Sequence, residues 1–147
     1  MSKKLCEFKD KYGSLSLEKH GNILQVNINS ACGIDLINFY IKKIRKFAPL
    51  FSINKWGLLS NSLGYEAATP EAEIALVEFC KICIELGCRV EAYCMISPVA
   101  IEQTRRMRLS YGNNIPIEDA LFASQEKAEI YMTKTLEQLN AKSYLTR

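Results

Sequence analysis

The chain has 147 residues, enough for one domain with a single sizeable core. It is 48% hydrophobic and 24% charged with a formal net charge of +3, which is ordinary for a globular protein and too little charge to predict nucleic-acid binding. No apolar run approaches the roughly 18 residues that cross a bilayer, and the N-terminus lacks the apolar segment of a signal peptide. We therefore expect a cytoplasmic protein with no stable membrane insertion.

The N-terminal third predicts a loose arm followed by a hairpin. Residues 1–12 are charged and are predicted to form the arm. From Gly13, leucines alternate with polar residues, and the alternation resumes after Gly21-Asn22, a dipeptide that closes tight hairpins. This pattern predicts two antiparallel strands with one polar face. His20, the only histidine, is expected to be solvated at the hairpin tip.

The middle of the chain alternates between helix and strand. Apolar residues recur at helical spacing over residues 35–51, where Pro49 is expected to end the helix or bend its last turn. The apolar run at residues 56–59 predicts a central strand that is covered on both faces. A helix capped by threonine and opened by proline is predicted over residues 69–86.

The last third continues the alternation. Residues 90–96 alternate as a strand, and a serine-proline pair opens a helix over residues 97–109. A last short strand is predicted at 115–117 or at 120–123, and a final helix runs from residue 124 to about 139.

The predicted order is ββαβαβαβα in an α/β domain over residues 13–140, with a C-terminal tail at 141–147. Strands separated by helices pair in parallel through crossover connections, whereas the first two strands form an antiparallel hairpin. The sequence therefore predicts a mixed β-sheet with about four helices.

This order resembles the STAS fold, the sulfate-transporter and anti-sigma-factor-antagonist domain, and within it the divergent SpoIIAA-like branch found in bacteria. Three stretches carry the resemblance: the strand WGLLS at 56–60, the junction AATPE at 67–71, and the strand at 90–96 with Ser97-Pro98 after it. The resemblance covers about residues 13–139, and it implies a regulatory protein-interaction domain on a mixed sheet.

In the regulatory members of that family, the junction carries Asp-Ser-Ser-Gly, and a partner kinase phosphorylates the second serine. Here Ala68 stands at the aspartate, Thr69 at the first serine, Pro70 at the phosphoacceptor and Glu71 at the glycine. Proline has no hydroxyl, so we predict no phosphorylation at position 70 and little at Thr69. Thr69 before Pro70, with Glu71 and Glu73 in the first turn, instead predicts a helix N-cap.

Six cysteines could suggest a disulfide framework: Cys6, Cys32, Cys80, Cys83, Cys88 and Cys94. Such frameworks belong to small exported domains, so we expect free and mostly buried thiols. Cys80 and Cys83 form a C-x-x-C motif, but they lie in the middle of a predicted helix, whereas a redox thiol is activated at a helix N-terminus. Only Cys88 and Cys94 could complete a zinc site. We predict small core residues, without a metal or a cofactor.

Two clusters of basic residues lie on predicted helices. They are Lys42, Lys43, Arg45 and Lys46 on the first helix, and Arg105, Arg106 and Arg108 on the third. We interpret both as solvated outer helix faces. The alternative is a docking surface for an acidic partner or an anionic membrane. Interleaved aromatic residues are absent apart from Tyr111, so no nucleic-acid partner is predicted.

With one histidine and no catalytic motif, the sequence predicts no catalytic residues and no enzyme activity. The leading hypothesis is a regulatory module that docks another protein through an exposed face around residues 60–70, at the carboxyl end of a parallel strand. The alternative is a carrier or sensor of apolar small molecules or lipids in a pocket between sheet and helices. A homodimer is left open. The candidate contact residues are Ser60, Asn61, Ser62, Gly64, Tyr65, Thr69, Tyr93, Met95, Arg105 and Arg106.

Overall fold

The structure is a computed structural model that describes residues 2–51 and 55–145. Its elements are β1 (Ser2–Lys9), β2 (Gly13–His20), β3 (Ile23–Cys32), α1 (Ile34–Phe47), a 3₁₀ turn (Ala48–Phe51), β4 (Trp56–Asn61), β5 (Tyr65–Ala68), α2 (Pro70–Glu85), β6 (Cys88–Cys94), α3 (Pro98–Ser110), a second 3₁₀ turn (Ile117–Ala120) and α4 (Gln125–Leu145). The six-stranded mixed sheet and the four α-helices of the described residues confirm the predicted α/β fold class with a mixed sheet.

The sheet has the strand order β1-β2-β3-β4-β6, and β5 pairs with the last residues of β3. The pairs β1–β2 and β2–β3 are antiparallel, whereas β3–β4, β3–β5 and β4–β6 are parallel. Because the parallel strands share one direction, their C-terminal ends meet at one side of the sheet, where α1, α2 and α3 begin. We call this side, at residues Cys32, Asn61, Ala68 and Cys94, the carboxyl edge.

Helices α1, α2 and α3 cover one face of the sheet, and α4 covers the other. Trp56 is fully buried at the start of β4, where it stacks on Phe51 at 5.2 Å between ring centroids and donates its Nε1–H to the Leu86 carbonyl at 2.8 Å. Leu58 belongs to the core under α2 and Leu59 to the core under α4. The predicted central strand with two covered faces is therefore confirmed.

Several sequence signals for element ends are confirmed. Gly21 adopts a φ of 59° in the hairpin turn, and Gly87 adopts 106° just after α2. Pro49 lies in the 3₁₀ turn that follows α1, as its effect on a regular helix predicts.

The prediction of a loose arm over residues 1–12 is wrong for residues 2–9. These residues form β1, which pairs along its length with β2. Phe8 stacks on Phe39 of α1 at 4.9 Å between ring centroids, and Cys6 also packs against the core. Leu5 is also partly buried against the core, and these three side chains hold a strand whose other residues are polar. Met1 lies outside the described residues.

The last predicted strand is also corrected. Ile117 and Ala120 turn inward in a 3₁₀ turn, so only Leu121 pairs in the sheet, through an isolated parallel bridge to Tyr93. Phe122 donates its backbone N–H to the Tyr93 carbonyl at 2.9 Å. The position agrees with the 120–123 alternative, but the extent is a single bridge.

Two further differences concern β5 and the C-terminus. Tyr65–Ala68 forms β5, a strand that is not predicted from the sequence. The helix α4 continues to Leu145, so residues 141–145 are helical and do not form a tail. Residues 146–147 of the predicted tail lie outside the described residues.

One serine closes a gap between the parallel strands. β3 pairs with β4 from Ile23 to Val26 and with β5 from Ser30 to Cys32, which leaves Ile28 between the two pairings. The buried Ser62 Oγ accepts a hydrogen bond from the Ile28 N–H at 3.0 Å and lies 3.0 Å from the Ser60 Oγ. The Ser62 hydroxyl therefore provides the hydrogen-bond acceptor for the Ile28 amide, which neither β4 nor β5 provides.

Replacing Ser62 with alanine should destabilise the fold. The Ser62→Ala variant leaves the Ile28 amide buried without an acceptor, and we expect the free energy of unfolding to fall by about 1–3 kcal/mol. Urea unfolding measures this difference. The control is Ser110→Ala, because the exposed Ser110 hydroxyl donates only to the Arg106 carbonyl of its own helix. Equal unfolding midpoints for the two variants would contradict the role of Ser62.

Candidate functional site

The candidate contact residues divide into groups with different surroundings. Ser60, Tyr65, Tyr93 and Met95 line a cavity between the sheet and the helices, and Ser62 is buried beside Ile28 of β3. Asn61, Gly64 and Thr69 lie at the carboxyl edge, and Arg105 and Arg106 lie on α3. Ser60, Ser62 and Tyr65 are buried and cannot belong to an exposed contact face, contrary to the expectation from the sequence.

The cavity lies between the sheet and helices α2 and α3 and has a volume of about 50 Å³. Its lining is mainly apolar, and it includes Leu58, Leu76, Phe79, Met95 and Met107. Tyr40 also lines it, and the buried Tyr40 hydroxyl has no hydrogen-bond partner within the described residues. A cavity known to bind benzene measures about 150 Å³, so this one holds only a molecule of a few heavy atoms.

The loop between β4 and β5 is fixed at the carboxyl edge by backbone hydrogen bonds. The Ser62 N–H donates to the Cys94 carbonyl at 2.9 Å, and the Ser30 N–H donates to the Gly64 carbonyl at 2.9 Å. Ser30 has a φ of 64°, the only positive value among the described residues other than glycine. Left-handed backbone in such a residue persists where its surroundings hold it. The loop therefore has a defined position.

Helix α3 is bound to β5 beside this loop. The Gln103 amide donates to the Ala68 carbonyl at 2.9 Å and accepts from the Ala68 N–H at 2.8 Å. The Ser97 hydroxyl donates to the Glu66 carbonyl at 2.7 Å and accepts from the Ala100 N–H at 3.2 Å. Together with the loop, these bonds make the carboxyl edge a continuous hydrogen-bonded frame.

Three aliphatic side chains of this frame lie in solvent. Leu63, Ile96 and Val99 are 46%, 71% and 57% exposed. We call these residues the edge patch. The exposed carboxylates of Glu66 and Glu71 lie on β5 and at the start of α2, and neither forms an ion pair with another described residue. An apolar group with a charged rim is typical of a protein contact surface.

Thr69 acts as the predicted N-cap of α2. The Thr69 Oγ1 accepts a hydrogen bond from the Ala72 N–H at 3.3 Å, with Pro70 at the first helical position. Glu71 and Glu73 lie in the first turn, where negative charge favours the helix dipole. The helix start therefore explains these residues, while the absence of phosphorylation at Thr69 stays a prediction.

The basic cluster on α3 is not a free cationic surface. Arg105 forms ion pairs with Glu102 and Glu118, and Arg106 pairs with Glu73 at 2.7 Å. The prediction that Arg108 is solvated is wrong, because its side chain is only 3% exposed and lies 3.5 Å from the carboxylate of Glu91. Because carboxylates of the same chain already pair with these three arginines, the basic cluster on α3 no longer indicates an acidic partner.

His20 is not a solvated tip residue, contrary to prediction. Its side chain is partly buried, with Nε2 at 3.5 Å from a Glu18 carboxylate oxygen and Nδ1 at 3.3 Å from one of Glu129. Glu129 belongs to α4, which covers the end of the hairpin. The residues of the hairpin cannot predict this contact, because Glu129 lies more than a hundred residues further along the chain.

The cysteines are free, as predicted, and Cys80 and Cys83 are buried inside α2. Burial raises the pKa of both thiols well above the ordinary value, and it raises the pKa of Cys32 to about 12. Across residues 2–51 and 55–145, no three His, Cys, Asp or Glu side chains are grouped as a metal site requires. The C-x-x-C motif therefore packs the core.

In the described ranges, no helix combines the length and the apolar character that a membrane span requires. No protein-family model matches the chain, and no curated protein matches it.

We expect the buried thiols to resist alkylation. The thiolate is the nucleophile, and burial raises the pKa of Cys80 and Cys83, so iodoacetamide at pH 8 should leave both unmodified in the native protein. Cys6, which is partly exposed on β1, is the most accessible thiol. Mass spectrometry of peptides, with urea-unfolded protein as the control, measures the difference. Rapid labelling of Cys80 or Cys83 in the native protein would contradict their inert role.

Proposed function

We propose that the chain is a non-enzymatic, cytoplasmic protein-interaction module that docks a partner protein on the edge patch. The observation that carries the proposal is the set of exposed aliphatic side chains Leu63, Ile96 and Val99 on a hydrogen-bonded frame. Large exposed aliphatic residues in one region are typical of sites that another protein covers.

The frame favours binding because it is already ordered. A partner that covers a flexible loop must restrict that loop, and the lost entropy weakens the complex. Here the loop is bound to Cys94 and Ser30, and α3 is bound to Ala68. Burial of a large aliphatic side chain contributes about 1.5–3 kcal/mol, so a few such residues support a specific complex.

The charges beside the patch indicate the chemistry of the partner. Glu66 and Glu71 are exposed and form no ion pair with a described residue. A partner with an apolar centre and basic residues at its rim complements this arrangement, because opposite rim charges favour association. The partner we propose is therefore a basic protein surface.

The resemblance to STAS domains supports the same location. Regulatory members of that family carry their phosphoacceptor at the junction that corresponds to residues 68–71, next to the edge patch. Pro70 has no hydroxyl to accept a phosphate, so we propose that contact at this edge is not controlled by phosphorylation there. No nucleic acid takes part in the proposed function.

A second candidate function is a carrier or sensor of apolar small molecules. It is favoured by the cavity, which brings together Tyr65, Tyr93 and Met95 and is lined by Tyr40, whose hydroxyl has no partner among the described residues. The volume of about 50 Å³ restricts the occupant to a few heavy atoms, and a lipid chain requires the cavity to expand. A non-covalent passenger in native mass spectra of the purified protein would favour this function over docking.

Replacement of Ile96 should weaken the proposed complex. We expect the Ile96→Ser variant, used as bait in native lysate, to recover at least tenfold less of the partner than the unchanged protein, because lost apolar burial of about 1.4 kcal/mol already gives that factor. Charge reversal in Glu66→Lys should also weaken recovery. Quantitative mass spectrometry of the captured proteins measures both effects.

The matched control is Ile130→Ser, since Ile130 is an exposed isoleucine on α4, 64% in solvent. The proposal would be overturned if the two variants, Ile96→Ser and Ile130→Ser, reduced the amount of captured partner equally, or if neither variant reduced it. Sedimentation velocity separates one further outcome: self-association lost only in Ile96→Ser would identify the partner as a second copy and contradict a basic partner protein.

A further inference from the structure

A buried ion pair lies beside the middle of β6. Glu91 and Arg108 have side chains only 8% and 3% exposed, at 3.5 Å between the carboxylate and Nη1. Tyr93 donates its hydroxyl hydrogen to Glu91, and the Tyr111 hydroxyl lies 2.7 Å from the same carboxylate. The guanidinium of Arg108 also lies over the Tyr93 ring at 5.5 Å. Four side chains from β6, α3 and the residue that follows it form one polar cluster.

Stability alone does not account for this cluster. Removing two charges from water opposes folding, and well-packed apolar residues in place of a buried ion pair are often at least as stabilising. Burial by itself would lower the pKa of the Arg108 guanidinium, but Tyr93 and Glu91 raise the pKa above its ordinary value. Arg108 is therefore a buried cation beside Glu91.

The cluster has hydrogen-bond donors to spare. The Glu91 carboxylate already accepts both tyrosine hydroxyls. Arg108 donates from Nη1 to the Tyr93 oxygen at 3.3 Å and from Nη2 to the Ile115 carbonyl at 3.0 Å, while its buried Nε has no partner within the described residues. Each oxygen of the Glu91 carboxylate thus accepts a hydrogen bond. The Arg108 guanidinium has five N–H donors, and its contacts with described residues do not use all of them.

An open cleft of about 410 Å³ adjoins this cluster, between β6, the loop after α3, and α4. This volume is in the range of small-molecule sites. Apolar side chains form much of its wall: Ile84, Val90, Ile115, Tyr131 and Leu139. The charged residues of its lining are Arg89, Glu91 and Arg108, which leaves one net positive charge.

We propose that this cleft binds a small monocarboxylic acid with an aromatic or branched aliphatic body. The single negative charge balances the net charge of Arg89, Glu91 and Arg108, and the carboxylate oxygens accept hydrogen bonds from the arginine donors. The apolar body packs against the aliphatic wall. The site is independent of the edge patch, so the failure of either proposal leaves the other standing.

Titration with benzoate tests this site in the full chain. We expect saturable changes in the ¹H–¹⁵N shifts of the backbone amides of Arg89, Gly112 and Asn113, and none at Gly64 on the carboxyl edge. Benzyl alcohol has the same ring without the charge and should bind at least tenfold more weakly. Unsaturable shifts with benzoate, or equal binding of benzyl alcohol, would overturn the proposal.

Two variants locate the site. Thr135→Phe places a ring in the cleft and should abolish benzoate binding, whereas Thr133→Phe alters an exposed position of the same helix and should leave it unchanged. Arg108→Lys keeps a cation beside Glu91 but removes the guanidinium donors, and it should weaken binding at least tenfold. Should Arg108→Lys fail to fold, Thr135→Phe decides: unchanged benzoate affinity in that variant contradicts the assignment.

Discussion

The hydrogen bond from the Ile28 amide to the Ser62 hydroxyl holds the parallel part of the sheet together where β4 and β5 separate. Without it, a buried amide of β3 would have no acceptor, because β4 has already left and β5 has not yet begun. The same serine binds the end of β6 through its own N–H. The position of the loop that carries Leu63 therefore depends on this residue.

The two ends of β6 have different chemistry. At its C-terminal end the chain enters the carboxyl edge, where exposed aliphatic residues lie on fixed backbone. Its other half adjoins a cleft with a buried cation and an apolar wall. The first arrangement suits a protein surface, because its aliphatic side chains are exposed and its backbone is ordered in advance. The second suits a small molecule, because it is a cleft in which Arg108 keeps N–H donors without acceptors among the described residues.

Local signals were sufficient for much of the fold. Gly21 in the hairpin, Thr69 with Pro70 at α2, and Gly87 after it are set by neighbouring residues, so their patterns predict them. Arg108 could not be placed in this way, because its burial depends on Glu91, which comes from another element. The strand β1 was missed because its polar residues outnumber Leu5, Cys6 and Phe8, which pack against the core only in the folded chain. The edge patch was missed for a related reason: Val99 fits an apolar helix stripe, and only the tertiary fold leaves it in solvent.

Site-specific photo-crosslinking in the native cell tests the central claim most directly. A p-benzoylphenylalanine at position 96 reports what touches the edge patch, and the same group at position 130 reports an exposed isoleucine position on α4. The docking account predicts a distinct, heavier adduct that contains a basic partner protein from position 96 and none from position 130. Identical adducts from both positions, or adducts from position 130 alone, would contradict it.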